Sequence, residues 1–325
     1  LILCAMPPLR LTPGHMVCHN FATNAFGGWG TSMTVQRLTL LPQPMRSGAS
    51  EPRFELPEPK FTTVEVTSVA QMVRGGRWRT EAMRSYDRPV LVWFTRGQGR
   101  LTIAGRSSGY GPHNLVFLPK QTMHGFTTMG PVLGSVAFLP DIPDIAWPDE
   151  PLHLRIQEAR YQRELTGLIE NIAREAEVGD EHVERALMHH AGLLSVWLAR
   201  TASKHANASM QSTATRLDTA AHRLAEAFTA LVERDFRNPA GVQHYASLLG
   251  VTPTHLSRVC RKVAGRPALD ILTDRRHFEA RRLLRDTNIQ ISEIARQCGF
   301  ASAAYFTRAF RSRSGQSPSE FRNDA

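Results

Sequence analysis

Two sets of side chains in the last third of the chain have the types and spacing to bind a polyanion. Ser257, Arg258, Arg261 and Lys262 form one, and Thr307, Arg308, Arg311 and Arg313 form the other. At intervals of three and four residues such groups share one face of a helix. Hydroxyls and guanidinium forks on one face suit phosphate oxygens and the edges of bases. Each set lies outside an apolar stripe, Leu256, Val259, Cys260 and Val263 in the first case and Phe306, Ala309 and Phe310 in the second. A shorter stripe and a glycine precede each: Val242, Ala246 and Leu249 before Gly250, then Ile291, Ile294, Ala295 and Cys298 before Gly299, 49 residues on. Glycine adopts positive φ without penalty, so each shorter helix ends in a tight turn. Two short helices about such a turn, the second basic on its outer face, form a helix-turn-helix, here present twice. Between the copies Pro267 suits a first helical turn, and Leu269, Leu272, Ala280, Leu283 and Leu284 predict a connecting helix ending near Asp286. At ~1.5 Å per residue that helix spans about 27 Å, which would set the two basic faces about one ~34 Å turn of DNA apart.

Catalytic and metal chemistry find less in the sequence. A divalent ion needs three or four converging ligands. His124 is the one histidine near a suitable strand, and Arg84–Gly99 contains none. His113 reads as a turn residue and His124 as a wall residue, while His189 and His190 are helical neighbours that cannot face one ion. No Ser or Cys with His and an acid, and no phosphate-binding glycine loop, stands out. The expectation is a protein without enzyme activity, cofactor or metal.

Ahead of the duplicated unit the period changes. Val64–Val69, Val90–Phe94, Leu101–Ala104, Leu115–Pro119 and Leu133–Phe138 read as strands, with turns at Arg96–Gly99 and Gly109–Pro112. Short strands at near-regular spacing predict an antiparallel barrel or jelly roll over 53–148. Its inward positions offer Trp93 and Phe117 as aromatic walls beside His124, with Arg84 or Arg88 to pair with an anion. Two readings stand: a pocket for a small-molecule effector, or a filled core with solvated arginines. Over 149–203 two helices are predicted, one striped by Leu154, Ile156, Leu165, Leu168, Ile169 and Ile172, the other by Val183, Leu187, Leu193, Leu194, Val196 and Leu198. They either cover the barrel or dimerise. The small, polar run at 204–216 reads as a flexible linker into 217–325, and residues 1–52 show no sustained period and are assigned no fold.

The second copy and its tail carry a recognisable pattern: I-x-E-I-A-x-x-x-G-F at Ile291–Phe300, Y-F-x-R-x-F at Tyr305–Phe310 and G-x-S-P-x-x-F-R at Gly315–Arg322. Over about 218–325 the chain resembles the AraC family of transcription regulators. The resemblance implies an all-α DNA-binding domain with two helix-turn-helix units joined by a helix. Base-facing positions then fall on Thr254, Ser257 and Arg258, and further DNA contacts on Thr252, Arg261, Lys262, Ala303, Ala304, Thr307, Arg308 and Arg311. His277 departs from the family, which usually has an aliphatic residue there, and Ala303 and Ala304 stand where polar base-readers are frequent. The G-x-G-x-L at Gly97–Leu101 and the run Leu115–His124 make the strand region similar to the family's cupin-like effector domain. The implied partners are double-stranded DNA, an effector, a second copy of the chain and, for an activator, RNA polymerase.

Charge agrees with a polyanionic partner. The chain carries a net +10, and from Leu217 onward 17 Lys and Arg face 11 Asp and Glu. Cys4, Cys18, Cys260 and Cys298 lack metal or disulfide spacing, and the last two fall on apolar stripes, as small core residues in a reducing cytoplasm would. The apolar start is too short and too soon broken by Pro7 and Pro8 for a signal peptide, and no apolar run is long enough to span a bilayer. A cytoplasmic, sequence-specific regulator is the leading expectation. A cupin-type enzyme fused to DNA-binding helices and a purely architectural DNA binder are the alternatives.

Overall fold

The computed structural model describes residues 63–74, 80–178, 181–211 and 220–324. The expectation for 1–52 lies outside them.

The strand region forms two antiparallel sheets. In the first, β1 (Glu65–Ser68), β7 (Leu133–Phe138), β2 (Val90–Arg96), β5 (Asn114–Leu118) and β8 (Leu152–Arg155) lie in that order. In the second, β4 (Arg106–Tyr110), β3 (Gly99–Ile103) and β6 (His124–Thr128) lie side by side. A short helix, α1 (Val69–Arg74), follows β1. β2 organises both cores because V-L-V-W-F is apolar at every position and so can be buried on two faces. Val90, Val92 and Phe94 pack between the sheets with Leu101, Tyr110, Val116, Phe126 and Val136. Leu91 and Trp93 point the other way, with Leu115, Phe117 and Ala137. That outer face is covered by α2 (Ala159–Val178) and α3 (Val183–Gln211) through Leu165, Ile169, Ile172, Leu187, Ala191, Leu194 and Leu198.

Three expectations need correction here. Leu152–Arg155 is an edge strand paired with β5, not the start of a helix. Leu152, Leu154 and Ile156 alternate with polar residues, which is the period of a strand. β4 and β6 were not expected; they carry few large apolar residues and are held by pairing to β3. Helix α3 runs to Gln211, so much of the run read as a flexible linker is helical, and 212–219 lie outside the described residues. Alanine-rich segments extend helices readily when nothing stops them.

The C-terminal domain is all helical: α4 (Ala220–Asp235), α5 (Val242–Leu248), α6 (Pro253–Ala264), α7 (Ala268–Asp286), α8 (Ile291–Gln297), α9 (Ala303–Ser314) and α10 (Pro318–Asn323). The sheets dock directly on it. The β3–β4 turn lies so close to α4 that a Cβ on Gly105 would stand 2.8 Å from the Ala225 carbonyl oxygen. Arg106 pairs with Glu226 on α4 at 2.9 Å. Met83 and Met123 from the strand domain enter the core formed by α4 to α7.

Candidate nucleic-acid interface

Each helix-turn-helix is built by the residues that suggested it. Gly250 and Gly299 turn the chain with φ of 66° and 72°. Beyond them Thr252 and Ser302 cap α6 and α9, their hydroxyls accepting the backbone N–H of His255 and Tyr305 at 3.2 Å each. Both long helices end on a left-handed glycine, Gly265 and Gly315. The glycine turns are not equivalent. A Cβ on Gly250 meets nothing, whereas one on Gly299 would lie 2.7 Å from the Phe236 carbonyl oxygen, so the second turn is wedged against the end of α4.

The apolar stripes of α6 and α9 are buried as expected, Leu256, Val259 and Cys260 on one, Phe306 and Phe310 on the other. Their outer faces carry the expected residues. Thr252, Thr254, Arg258, Arg261 and Lys262 are exposed and Ser257 is half-buried. On α9, Ala304, Arg308 and Arg311 are exposed, Ala303 and Thr307 half-buried. The Thr307 hydroxyl donates to the Ala303 carbonyl at 2.9 Å, which leaves it only acceptor capacity toward a base. Arg313, expected on the outer face, instead pairs with Asp274 and lies 3.5 Å from Asp270, both on α7. Its guanidinium is thus engaged with α7, although the residue remains exposed.

The connecting helix α7 holds the two units through buried charge, which the sequence did not announce. Arg275 donates to both Glu233 oxygens, at 2.6 and 2.9 Å, and to Glu279 at 3.2 Å, with its guanidinium 4.0 Å from the Phe236 ring centre. Burial by itself would raise the Glu279 pKa, but Arg275, Arg282 and Arg237 hold it down at about 2. Arg276 donates to the carbonyls of Phe236, Asn238 and Ala240, closing the turn between α4 and α5. His277 is buried between Phe300 and Phe310, with ring centres 5.4 and 5.7 Å away, and neither ring nitrogen has a hydrogen-bond partner among the described residues. Burial, reinforced by Arg281 and Arg313, pushes its pKa down to about 3, so it is neutral. Cys260 and Cys298 are buried free thiols whose pKa burial raises.

The residues expected to line an effector pocket are divided between two cores. Arg84 and His124 border the space between the sheets, but Trp93 and Phe117 face α2 and α3, and Trp93 Nε1 donates to Thr166 Oγ1 at 3.1 Å. Alternation along β2 decides this, since Val92 and Phe94 take the inner side. Arg84 donates to the carbonyls of Thr80 and Ala82 and to the Tyr86 hydroxyl; Arg88 pairs with Glu65 at 2.9 Å over the Phe138 ring. Burial, with Arg84 alongside, lowers the His124 pKa to about 3. The remaining cavity between the sheets is about 10 Å³, which holds a water and nothing larger. A recess of about 310 Å³ opens instead where β3 and β6 meet the α6–α7 turn, bordered by Met83, Arg100, Thr102, Phe126 and Arg266. Among the described residues no group of His, Cys, Asp and Glu is arranged to hold a metal ion, and no helix is long and apolar enough to cross a membrane.

Comparison with known proteins agrees with this geometry. A family model described as a helix-turn-helix domain matches residues 245–324. The HTH-type transcriptional activator AarP of Providencia stuartii is 35% identical over 91 residues, 28% of this chain and 67% of its own length. The HTH-type transcriptional regulator GlxA of Rhizobium meliloti is 37% identical over 91 residues, and this chain spans only 28% of its length. Among solved structures, ToxT from Vibrio cholerae O395 is similar at 16% identity with a TM-score of 0.40, over 80% of this chain and 96% of that one.

Proposed function

The chain belongs to the AraC family of transcription regulators, and on that premise we propose that α6 and α9 read adjacent major grooves of a promoter under the control of a small molecule. The capped, glycine-turned pair of basic helices on one connecting helix carries this reading. α6 supplies the direct readout. Arg258 has the fork for guanine O6 and N7, and Thr254 and Ser257 adjoin it. α9 contributes mainly salt-dependent affinity through Arg308 and Arg311, because Ala303 and Ala304 offer a thymine methyl only apolar contact. Duplexes selected by the full-length protein from a random pool, followed by a saturation scan of the winning site, test this. The expected result is one half-site of high information content and a second that tolerates changes at well under the ~1–3 kcal/mol per mismatch of a specific site. No enrichment, or two equally strict half-sites, refutes it.

The effector belongs in the recess beside the domain junction rather than between the sheets. Pockets for small molecules run from ~300 Å³ upward, which the 310 Å³ recess meets and the inner cavity does not. Arg100 suits an anionic ligand with an apolar body against Met83 and Phe126. Small-molecule carboxylates that change operator affinity should lose that effect in Arg100→Gln. Full retention refutes this placement of the effector.

Dimerisation fits α3. Its inner face covers the sheet, while Leu193 and Val196, 58% and 46% exposed, form an apolar pair on the outer side. Sedimentation should show a dimer that Leu193→Lys converts to monomer. For an activator, RNA polymerase is the remaining partner.

A further inference from the structure

One carboxylate sits where three parts of the molecule meet. Asp274, in the second turn of α7, has a side chain only 4% exposed. One of its oxygens accepts from the Arg266 guanidinium and from the Met83 backbone N–H at 3.4 Å; the other accepts from Arg313. Arg266 lies two residues beyond the end of α6, and Arg313 in the last turn of α9. Each carboxylate oxygen therefore takes the C-terminal end of one recognition helix. The strand domain joins the same point a second time, because Arg266 also donates to the Glu81 carbonyl at 3.3 Å.

We propose that Asp274 is a positioning residue that ties the C-terminal ends of both recognition helices, and the Glu81–Met83 segment of the strand domain, to one point on α7, and so sets the separation of the two grooves the helices can read. A buried carboxylate is tolerable only while its donors are in place, so each of the three ties holds the others. The wedge of Gly299 against Phe236 fixes the opposite end of the second unit but touches neither helix end. Without Asp274, α6 and α9 keep their caps and stripes, yet Arg266 and Arg313 lose the carboxylate they share, and Arg313 is left only the more distant Asp270 at 3.5 Å. The helices then remain formed while their relative placement loosens. Asn is the informative replacement, since it keeps the shape of Asp, removes its charge and turns an N–H toward one guanidinium.

The proposal rests on the two-groove reading above, and the experiment separates the two. Full-length protein first selects a duplex from a random pool, and binding is then measured to that duplex with one or two base pairs inserted or removed between the half-sites. The wild type should lose ~10-fold or more on a one-pair shift, as expected when one of two specific contacts is forfeited. Asp274→Asn should compress that penalty to under ~3-fold while still preferring the selected half-site over scrambled DNA. Arg266→Gln and Arg313→Gln, at side chains 38% and 33% exposed, should compress it too, and they carry the test if the Asn variant does not fold. A purely structural role would instead weaken binding equally at every spacing. Equal weakening with the spacing penalty intact, or no change in any of the three variants, overturns the proposal. Failure of the wild type to select any sequence refutes the two-groove reading instead.

Discussion

Replacing His277 by Leu should make the protein more stable, against the usual direction for a buried position. The imidazole is 1% exposed, between Phe300 and Phe310, and its two ring nitrogens have no partners among the described residues. Each unsatisfied buried polar atom costs ~1–3 kcal/mol, so a leucine of similar volume should recover roughly 2 kcal/mol at neutral pH. The gain should grow in acid. The folded-state pKa is depressed from 6.5 to about 3, so the unfolded chain takes up a proton below pH 6.5 that the folded chain refuses. Stability contributed by the neutral ring is complete above 6.5 and is lost as pH falls toward 3. At pH 5 that amounts to about 2 kcal/mol more, at ~1.4 kcal/mol per unit. His124 has a similar shift and its own slope, so the substitution should remove about one proton from the pH dependence and leave the other. Urea unfolding at pH 7, 6 and 5 reads both effects. If His277→Leu is less stable at pH 7, or if the slope between pH 7 and 5 is unchanged, the ring is not the unsatisfied neutral group described here.

The two glycine turns should separate in parallel denaturation. Gly250→Ala should cost only the ~1–2 kcal/mol of a left-handed residue, and Gly299→Ala should cost clearly more because of the Phe236 carbonyl; equal costs would mean that the wedge is absent. Arg275→Met should lose ~3–5 kcal/mol by stranding Glu233, while Glu279 keeps Arg282 and Arg237, and Glu233→Leu in that background should restore part of it, a double-mutant cycle without coupling being the adverse result. Arg258→Ala should relax preference at one base pair by ~1–3 kcal/mol, whereas equal weakening on selected and scrambled duplexes would assign Arg258 to phosphate alone.

The duplicated helix-turn-helix was legible because its signals are local. Stripes of three or four apolar residues on either side of a glycine decide α5, α6, α8 and α9, the latter of each pair capped by a hydroxyl, with little help from the rest of the chain. The strand domain was harder for a physical reason. When V-L-V-W-F is buried on both faces, no alternation says which side lies between the sheets, so Trp93 and Phe117 could be assigned to a pocket wall while packing under α2 and α3. The alternation of Leu152, Leu154 and Ile156 was present, but its place next to helical residues hid it. Least legible was the charge on α7. Asp274, Arg275 and Glu279 have the spacing of a solvated helix face, and only the arrival of Glu233, Arg266, Arg313 and the Met83 N–H from distant segments makes them interior.

Met83 and Met123 belong by sequence to the strand domain but by packing to the core of the DNA-binding helices, beside Phe228, Val232 and Leu256. This bears on how the C-terminal domain behaves when severed. Cutting the chain near residue 217 withdraws two thioether plugs and the Gly105 turn, and uncovers apolar surface on α4 that no water-facing residue replaces. Such a bare patch favours self-association over folding as a monomer. The excised DNA-binding piece should therefore be sparingly soluble, and polar replacements on α4 at the contacts left by the two methionines should cure this without touching the outer faces of α6 or α9.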